Sequence, residues 1–196
     1  MRSPGPVAIE PSGSPRRSAA QRRVVSAAVD LFAEHGVGGT SLQMIADALG
    51  VTKAAVYHQF RTKDEIVLAV AEAELARVEA AVEAAEAEPD PARAREVLVA
   101  RIVDLAVERR RMEGTLLGDP VIVRFFARHA PFRQVMRRLY RLLAGDDAGP
   151  DARVSAAMLT AAIGGAVMHP LVVELDDETL RSQLLRLARR FLDLAD

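Results

Sequence analysis

The chain has 196 residues and a formal net charge of −1; 50% of its residues are hydrophobic and only 4% are aromatic. This composition, rich in Ala, Leu, Val, Arg and Glu, favours an all-α protein with a sizeable core. The absence of cysteine excludes disulfides, thiolate metal sites and cysteine nucleophiles, and the near-neutral charge means that any affinity for nucleic acid must come from a local basic surface.

The first 17 residues are rich in Pro, Ser, Gly and Arg and show no periodicity, which predicts a disordered tail. Arginines in and just beyond this tail could lie along DNA phosphates or could simply be solvated. They are Arg16, Arg17, Arg22 and Arg23. The segment lacks the apolar core of a signal peptide, so we expect a cytoplasmic protein.

A first helix is predicted from Ser18 to His35, where apolar residues recur at helical spacing, and Gly36 is a natural C-cap. Residues 40–63 then contain two short helical patterns that meet at Gly50, which suits a turn with positive φ. Thr52 is a good N-cap for the second of them. Between residues 36 and 63 only Asp47 is acidic. The stretch therefore predicts a helix-turn-helix on the basic part of the chain.

The second short helix is a candidate recognition helix, whose N-terminal residues would meet base edges in the major groove. Lys53 can donate to guanine or to phosphate, and Gln59 to a base edge at the far end of the helix. Tyr57 and Lys63 suit phosphate contacts, and Lys63 would also lie near the positive end of the next helix. The candidate DNA-binding residues are Ser41, Gln43, Thr52, Lys53, Ala54, Ala55, Tyr57, His58, Gln59 and Lys63.

The run GVTKAAVYHQFRTK at residues 50–63 closely resembles the recognition-helix signature of TetR-type transcriptional repressors. The run LFAEHG at 31–36, Thr40-Ser41 and Ile45-Ala46 extend this resemblance over about the first third of the chain. The resemblance implies an all-α fold of about nine helices, with a DNA-binding head at 18–63 and a ligand-binding and dimerisation body at 64–196. It further implies a homodimeric regulator, a repressor that a small molecule releases from a palindromic operator in double-stranded DNA.

The body is predicted to contain a further series of helices, the first of which connects head and body in TetR-like proteins. The predicted helices span 64–88, 92–112, 120–128, 131–144, 151–168 and 176–192. Residues 154–173 carry no charge and approach the roughly 20 residues that span a bilayer. Because Gly164-Gly165 and His169-Pro170 interrupt this stretch, we predict a helix buried on two faces and no membrane contact.

In TetR relatives the last two long helices of each subunit form a four-helix bundle with the partner. The interface residues that this implies are Ala157, Ala161, Gly164, Gly165, Leu180, Leu184, Leu187 and Phe191. The alternative is that these residues form only the core of their own subunit.

The effector pocket of such proteins lies among the middle helices, where the aromatic and methionine content here favours an apolar molecule. Tyr140, His129 and His169 are possible polar anchors. The candidate lining residues are Met112, Leu116, Leu117, Phe125, Phe126, Phe132, Met136, Tyr140, Met168 and His169. Several of them at helical spacing could equally be ordinary core.

Two other functional classes compete with this interpretation. A helical-bundle enzyme lacks support, because the four histidines have no metal-binding spacing and no phosphate loop, nucleophile elbow or clustered acid pair is present. We therefore predict no catalytic residue, no metal and no cofactor. A protein of the same fold that has lost specific DNA binding, and acts as an interaction or ligand-binding protein, is the other alternative. Intact Thr52, Lys53, Tyr57 and Lys63 argue against it.

Overall fold

The computed structural model describes residues 17–108, 110 and 129–192, and all regular secondary structure in these ranges is helical. The eight α-helices in these ranges are α1 (Ala19–Gly39), α2 (Leu42–Leu49), α3 (Lys53–Gln59), α4 (Lys63–Glu86), α5 (Pro91–Glu108), α6 (Ala130–Ala144), α7 (Pro150–Val167) and α8 (Asp177–Phe191). A 3₁₀ helix, Pro170–Val172, joins the last two. The all-α prediction is confirmed. The predicted helix 120–128 and the tail up to residue 16 lie outside the described residues.

The first four helices begin where side-chain hydroxyls cap them. The Ser18, Ser41, Thr52 and Thr62 hydroxyl oxygens each accept the backbone N–H three residues further on. At Ser18 the bond is reciprocal, because the Gln21 side chain accepts the Ser18 backbone N–H in return. Such caps satisfy amide donors that a helix leaves unpaired at its start. The sequence therefore fixes the start of each helix locally.

Helices α1, α2 and α3 pack with the first half of α4 around one hydrophobic core. Phe32, Ile45 and Ile66 are fully buried at its centre. Gly36 adopts φ +72° and interrupts α1 near its end. Thr40, which is also buried, donates its hydroxyl to the Gly36 carbonyl at 2.8 Å. The chain can thus leave α1 sharply without losing the hydrogen bonding of this turn.

The second core lies among the second half of α4 and helices α5 to α8. Leu98, Val103 and Val135 are almost completely inaccessible there. Arg138 on α6 bonds Glu86 on α4 at 2.6 Å and Glu79 at 3.3 Å, so two helices of this body are also joined by ion pairs. Helix α4 therefore belongs to both cores.

Helix α7 differs from the prediction of a helix buried on two faces. Within this single chain one face is buried, and its residues are Ala156, Leu159, Ile163 and Val167. The opposite face is exposed, with Val154 at 56% and Met158 at 57% accessible. The uncharged stretch of sequence predicted two buried faces for α7, but it does not identify what would cover the second one. No helix in the described part of the chain is long and apolar enough to cross a membrane.

Candidate nucleic-acid interface

The turn between α2 and α3 is built on Gly50, which has φ +65° and ψ 34°. The Gly50 N–H donates to the Asp47 carbonyl at 3.1 Å, and the Val51 N–H donates to the Ala46 carbonyl at 3.0 Å. A Cβ added at Gly50 would have no atom within 4 Å, so the left-handed backbone, not close packing, calls for glycine here. Thr52 then starts α3 by accepting the Ala55 N–H at 3.2 Å.

Helix α3 buries a single side chain, Val56, and presents most of the rest to solvent. The exposed side chains are Lys53, Ala54, Ala55, Tyr57 and His58. Tyr57 is 51% accessible although it is a large aromatic residue. The ammonium group of Lys53 has no hydrogen-bond or ion-pair partner among the described residues. All five exposed residues are among the predicted DNA-binding residues, and their contact with DNA stays a prediction.

The polar residues of α2 already have partners within their own helix. The Ser41 hydroxyl oxygen accepts the Met44 N–H at 3.2 Å, while its own proton remains free to donate. The Gln43 side-chain amide donates to the Asp47 carboxylate at 2.7 Å, and both side chains are exposed. Asp47 places a negative charge on this surface, which the Gln43 amide partly offsets.

Gln59 at the end of α3 points to the start of α1. It is half-buried, and its side-chain oxygen lies 3.4 Å from the Ser18 hydroxyl that donates to it. Its amide nitrogen lies 3.4 Å from Nδ1 of His58. This geometry gives Gln59 a part in joining α3 to α1, whereas its predicted contact with a base edge stays a prediction.

Lys63 has a role that the sequence did not reveal. Its Nζ donates to the carbonyl oxygens of Val37, Thr40 and Gly38 at 2.8, 3.2 and 3.4 Å. These carbonyls lie at and just after the end of α1, which has no basic residue in its own last turn. The three donors of an ammonium group are therefore all directed at the backbone of the head. The predicted phosphate contact would require this group to exchange one of these carbonyls.

The last residue of the predicted tail, Arg17, is bonded to neighbouring parts of the structure. Arg17 forms an ion pair with Glu72 on α4, and the Arg22 guanidinium donates to the Arg17 carbonyl at 2.6 Å. The predicted disordered tail includes Arg17, but the structure describes this residue in an ion pair, so the ordered part begins one residue earlier than predicted. Arg23 is exposed on α1, and Arg16 lies outside the described residues.

The predicted effector residues do not gather around one cavity in the part that the structure describes. Met112, Leu116, Leu117, Phe125 and Phe126 lie outside that part. Phe132 and Met136 are half-buried against the body core, and Met168 is 40% accessible. Nδ1 of His169 accepts the Leu171 N–H at 3.2 Å, so this histidine caps the 3₁₀ helix. Tyr140 lines a separate surface cleft together with arginines from α6 and α7.

The predicted dimer residues divide into two groups. Ala157, Ala161 and Gly165 are exposed along α7, and Gly164 is half-buried. On α8, Leu187 and Phe191 are 53% and 46% accessible.

Leu180 and Leu184 form the second group, because they are only 2% and 9% accessible and belong to the body core. This burial agrees with the alternative that the sequence left open, in which these residues form the core of their own subunit, and their contact with a partner stays a prediction. Sequence reasoning missed Val154 and Met158, which extend the exposed apolar face of α7.

Comparison with known proteins agrees with the geometry of the head. Residues 24–70 match the family model described as bacterial regulatory proteins, tetR family. Over 65 residues the chain is 35% identical to the HTH-type transcriptional regulator RutR of Escherichia coli K12, and this match covers 32% of this chain and 31% of RutR. The match thus spans about a third of the length of that relative.

Two solved structures are similar over nearly the whole chain. One is the TetR family transcriptional regulator PfmR from Thermus thermophilus, at 26% identity and a TM-score of 0.61, covering 86% of this chain and 97% of that one. The other is a bacterial regulatory protein in the tetR family from Rhodococcus RHA1, at 25% identity and a TM-score of 0.67, covering 91% of this chain and 100% of that one.

Proposed function

Because the chain belongs to the TetR family, whose matched members are transcriptional regulators and not enzymes, we propose that it is a homodimeric, ligand-responsive repressor acting in the cytoplasm. The observation that carries the proposal is the outward face of α3. Helix α3 contains no acidic residue, buries only Val56 on its opposite face, and follows a capped tight turn. This is the arrangement with which a helix can enter the major groove.

The proposed base readout rests on Lys53, which lies in the first turn of α3 with an unpaired ammonium among the described residues. A lysine in this position can donate to guanine O6 or N7. Tyr57 would donate its hydroxyl to a phosphate, which sets register without reading sequence. The small side chains of Ala54 and Ala55 would let the helix approach the base edges closely.

The proposed dimer would use the exposed apolar face shared by α7 and α8. Val154, Met158, Leu187 and Phe191 are each between 46% and 57% accessible, and groups of exposed apolar side chains mark surfaces that bind other proteins. A two-fold pair of heads would match an operator with two half-sites. Met158→Arg should convert a dimer to a monomer in sedimentation equilibrium, whereas Arg186→Gln, an exposed change elsewhere on α8, should not.

The proposed response to a small, apolar molecule is a population shift that α4 would transmit. Helix α4 packs in the head core through Val70 and in the body core through Val82. An effector that binds the body more tightly in a state with wrongly spaced heads would lower DNA affinity. An effector that bound both states with equal affinity would not change DNA binding, however tightly it bound.

The test is selection of bound duplexes from random DNA by the purified protein at near-physiological salt. The proposal predicts enrichment of an inverted repeat with half-site centres about 34–36 Å apart. Tyr57→Phe should weaken binding to all enriched sequences alike, and Lys53→Ala should relax the preference at one position of each half-site. If Lys53→Ala left the preferred sequence unchanged, the base-reading role of Lys53 would be wrong.

Failure to enrich any sequence with folded, dimeric protein would favour the other interpretation of the fold. The protein would then be an interaction or ligand-binding protein without specific DNA binding. A DNA reader should also lose duplex affinity steeply as salt rises, because its phosphate contacts release counterions, whereas a protein of the other kind should show no specific duplex binding at all.

A further inference from the structure

We propose that a surface cleft between the end of α6 and the start of α7 binds a small organic anion. The cleft has a volume of about 420 Å³, within the range typical of small-molecule sites. Its polar lining is dominated by Arg137, Arg141 and Arg153, and its apolar lining by Tyr140 and several alanines. Of the residues predicted from the sequence to line an effector pocket, only Tyr140 is among those described as lining this cleft.

The cleft lies at the end of the body that is far from the DNA-binding head. Arg141 approaches Glu86, the last residue of α4, at 3.5 Å. Val70, which packs in the head core, precedes Glu86 by 16 positions, or about 24 Å along a helix that rises 1.5 Å per residue. A cationic cleft in this place is therefore not an extension of the DNA-binding surface.

Helix geometry brings the cationic groups together. Arg137, Tyr140 and Arg141 stand three and four positions apart on α6, so their side chains share one face. Arg153 comes from the first turn of α7, across the loop that contains Gly145 at φ +92°. The chain reverses at this loop, and the two helices bring their arginines to the same opening.

The positive charge of the cleft is incompletely neutralised. Arg137 and Arg153 are exposed and have no ion-pair or hydrogen-bond partner among the described residues. Arg141 is shared between Glu86 at 3.5 Å and Asp146 at 3.7 Å, distances that are long for a strong ion pair. Among the described residues that line the cleft, Asp146 is the one acid, against three arginines. An anion here would gain attraction without displacing a tight native pair.

The rest of the lining indicates the chemical class of the ligand. A guanidinium group matches the two oxygens of a carboxylate, and three of them around one opening favour such a group over a neutral polar one. The Tyr140 ring, 39% accessible, and the side chains of Ala144, Ala148 and Ala156 offer an apolar surface beside it. We therefore expect an organic acid with a compact aromatic or aliphatic body.

The site also borders the proposed dimer face, because Ala157 lines the cleft and is exposed on α7. An anion held at the cleft would sit beside the partner subunit. Its binding to the isolated protein does not depend on whether the protein binds DNA, so the two proposals can fail separately.

The experiment is isothermal titration of the full-length protein with matched pairs of acids and amides. The probes are benzoate, 2-naphthoate and octanoate, each compared with its uncharged amide of nearly the same shape. The variants are Arg137→Gln and Arg153→Gln, and Arg186→Gln on α8 removes the same charge away from the cleft as a control. Thermal unfolding of each variant establishes that it is folded.

We expect at least one acid to bind the wild-type protein ten or more times more tightly than its amide. Each cleft variant should weaken that binding about tenfold, which corresponds to about 1.4 kcal/mol, and the control should leave it unchanged. The proposal is overturned if no acid binds, if acid and amide bind alike, or if the cleft variants retain wild-type affinity. It is also overturned if those variants alter the dimer alone, because the arginines would then serve the subunit interface.

Discussion

Replacing Lys63 by methionine separates a structural role of this residue from a DNA-binding one. The substitution keeps most of the aliphatic stem and removes the ammonium that donates to the Val37, Gly38 and Thr40 carbonyls. Lys53→Met is the matched control, because the Lys53 ammonium is exposed and has no partner among the described residues. Both variants lose one positive charge from the head.

The expected loss of stability follows from the three distances. The bonds of 2.8 and 3.2 Å are good charge-assisted hydrogen bonds, while the third, at 3.4 Å, is near the limit of such a bond. A hydrogen bond to a charged group contributes about 1.5–3 kcal/mol net. Since the side chain is half-buried and water can replace part of the bonding, we expect Lys63→Met to cost about 2 kcal/mol. For a chain of this size that lowers Tm by about 4–8 °C.

The assay is thermal and urea unfolding of both variants at equal protein concentration, followed by titration with the selected operator. Lys63→Met should lose stability, whereas Lys53→Met should keep the wild-type Tm and lose operator affinity. The reasoning is refuted if Lys63→Met retains full stability and loses only affinity for DNA. That result would mean that the ammonium contacts phosphate and that the three carbonyls are adequately solvated without it.

Two further predictions concern the turn and the ion pairs of the body. Gly50→Ala should destabilise the protein by about 1–2 kcal/mol through its left-handed backbone alone, since the new Cβ meets nothing within 4 Å. Gly38→Ala, which is equally uncrowded, has no positive φ and lies within α1, should cause no loss of stability in the same unfolding assay. The Arg138 hydrogen bond, and then its charge, holds the pKa of Glu86 below the usual 4.5, so this pair contributes stability above that pH and loses it as pH falls through the lowered pKa. Arg138→Met should therefore cost about 1 kcal/mol at pH 7, and its stability should converge with that of the wild type only once the pH has fallen below the lowered pKa of Glu86. A difference that does not change with pH would assign the effect to packing.

Much of the head could be predicted because its signals are local. The positive φ of Gly50 and the hydroxyl cap at Thr52 each act within three or four residues, and the sequence displays them directly. The buried position of Val56 follows from helical spacing within one short element. These local features predict the helix-turn-helix and do not require knowledge of contacts between residues far apart in sequence.

The failures concern contacts between residues far apart in sequence. Lys63 meets carbonyls more than twenty positions earlier, and no periodicity records which helix end will face it. Leu184 and Leu187 lie three positions apart on α8, yet one is in the core and the other is 53% accessible. Helical spacing identifies the apolar side of a helix. Which residues of that side enter the core of their own subunit, and which stay exposed, depends on how the neighbouring helices pack.

The division of α4 between two cores bears on how this protein could be cut and recombined. The head core includes Ile66, Val67 and Val70, and the body core begins at Leu75. A fragment ending at residue 63 would leave the apolar surface of the head uncovered and would lack the side chains that complete its packing. A self-sufficient head must therefore carry roughly the first half of α4. A chimera that joins this head to a different sensing body would need its seam near residue 73, inside a continuous helix, where helical phase at the junction would set the direction in which each head points.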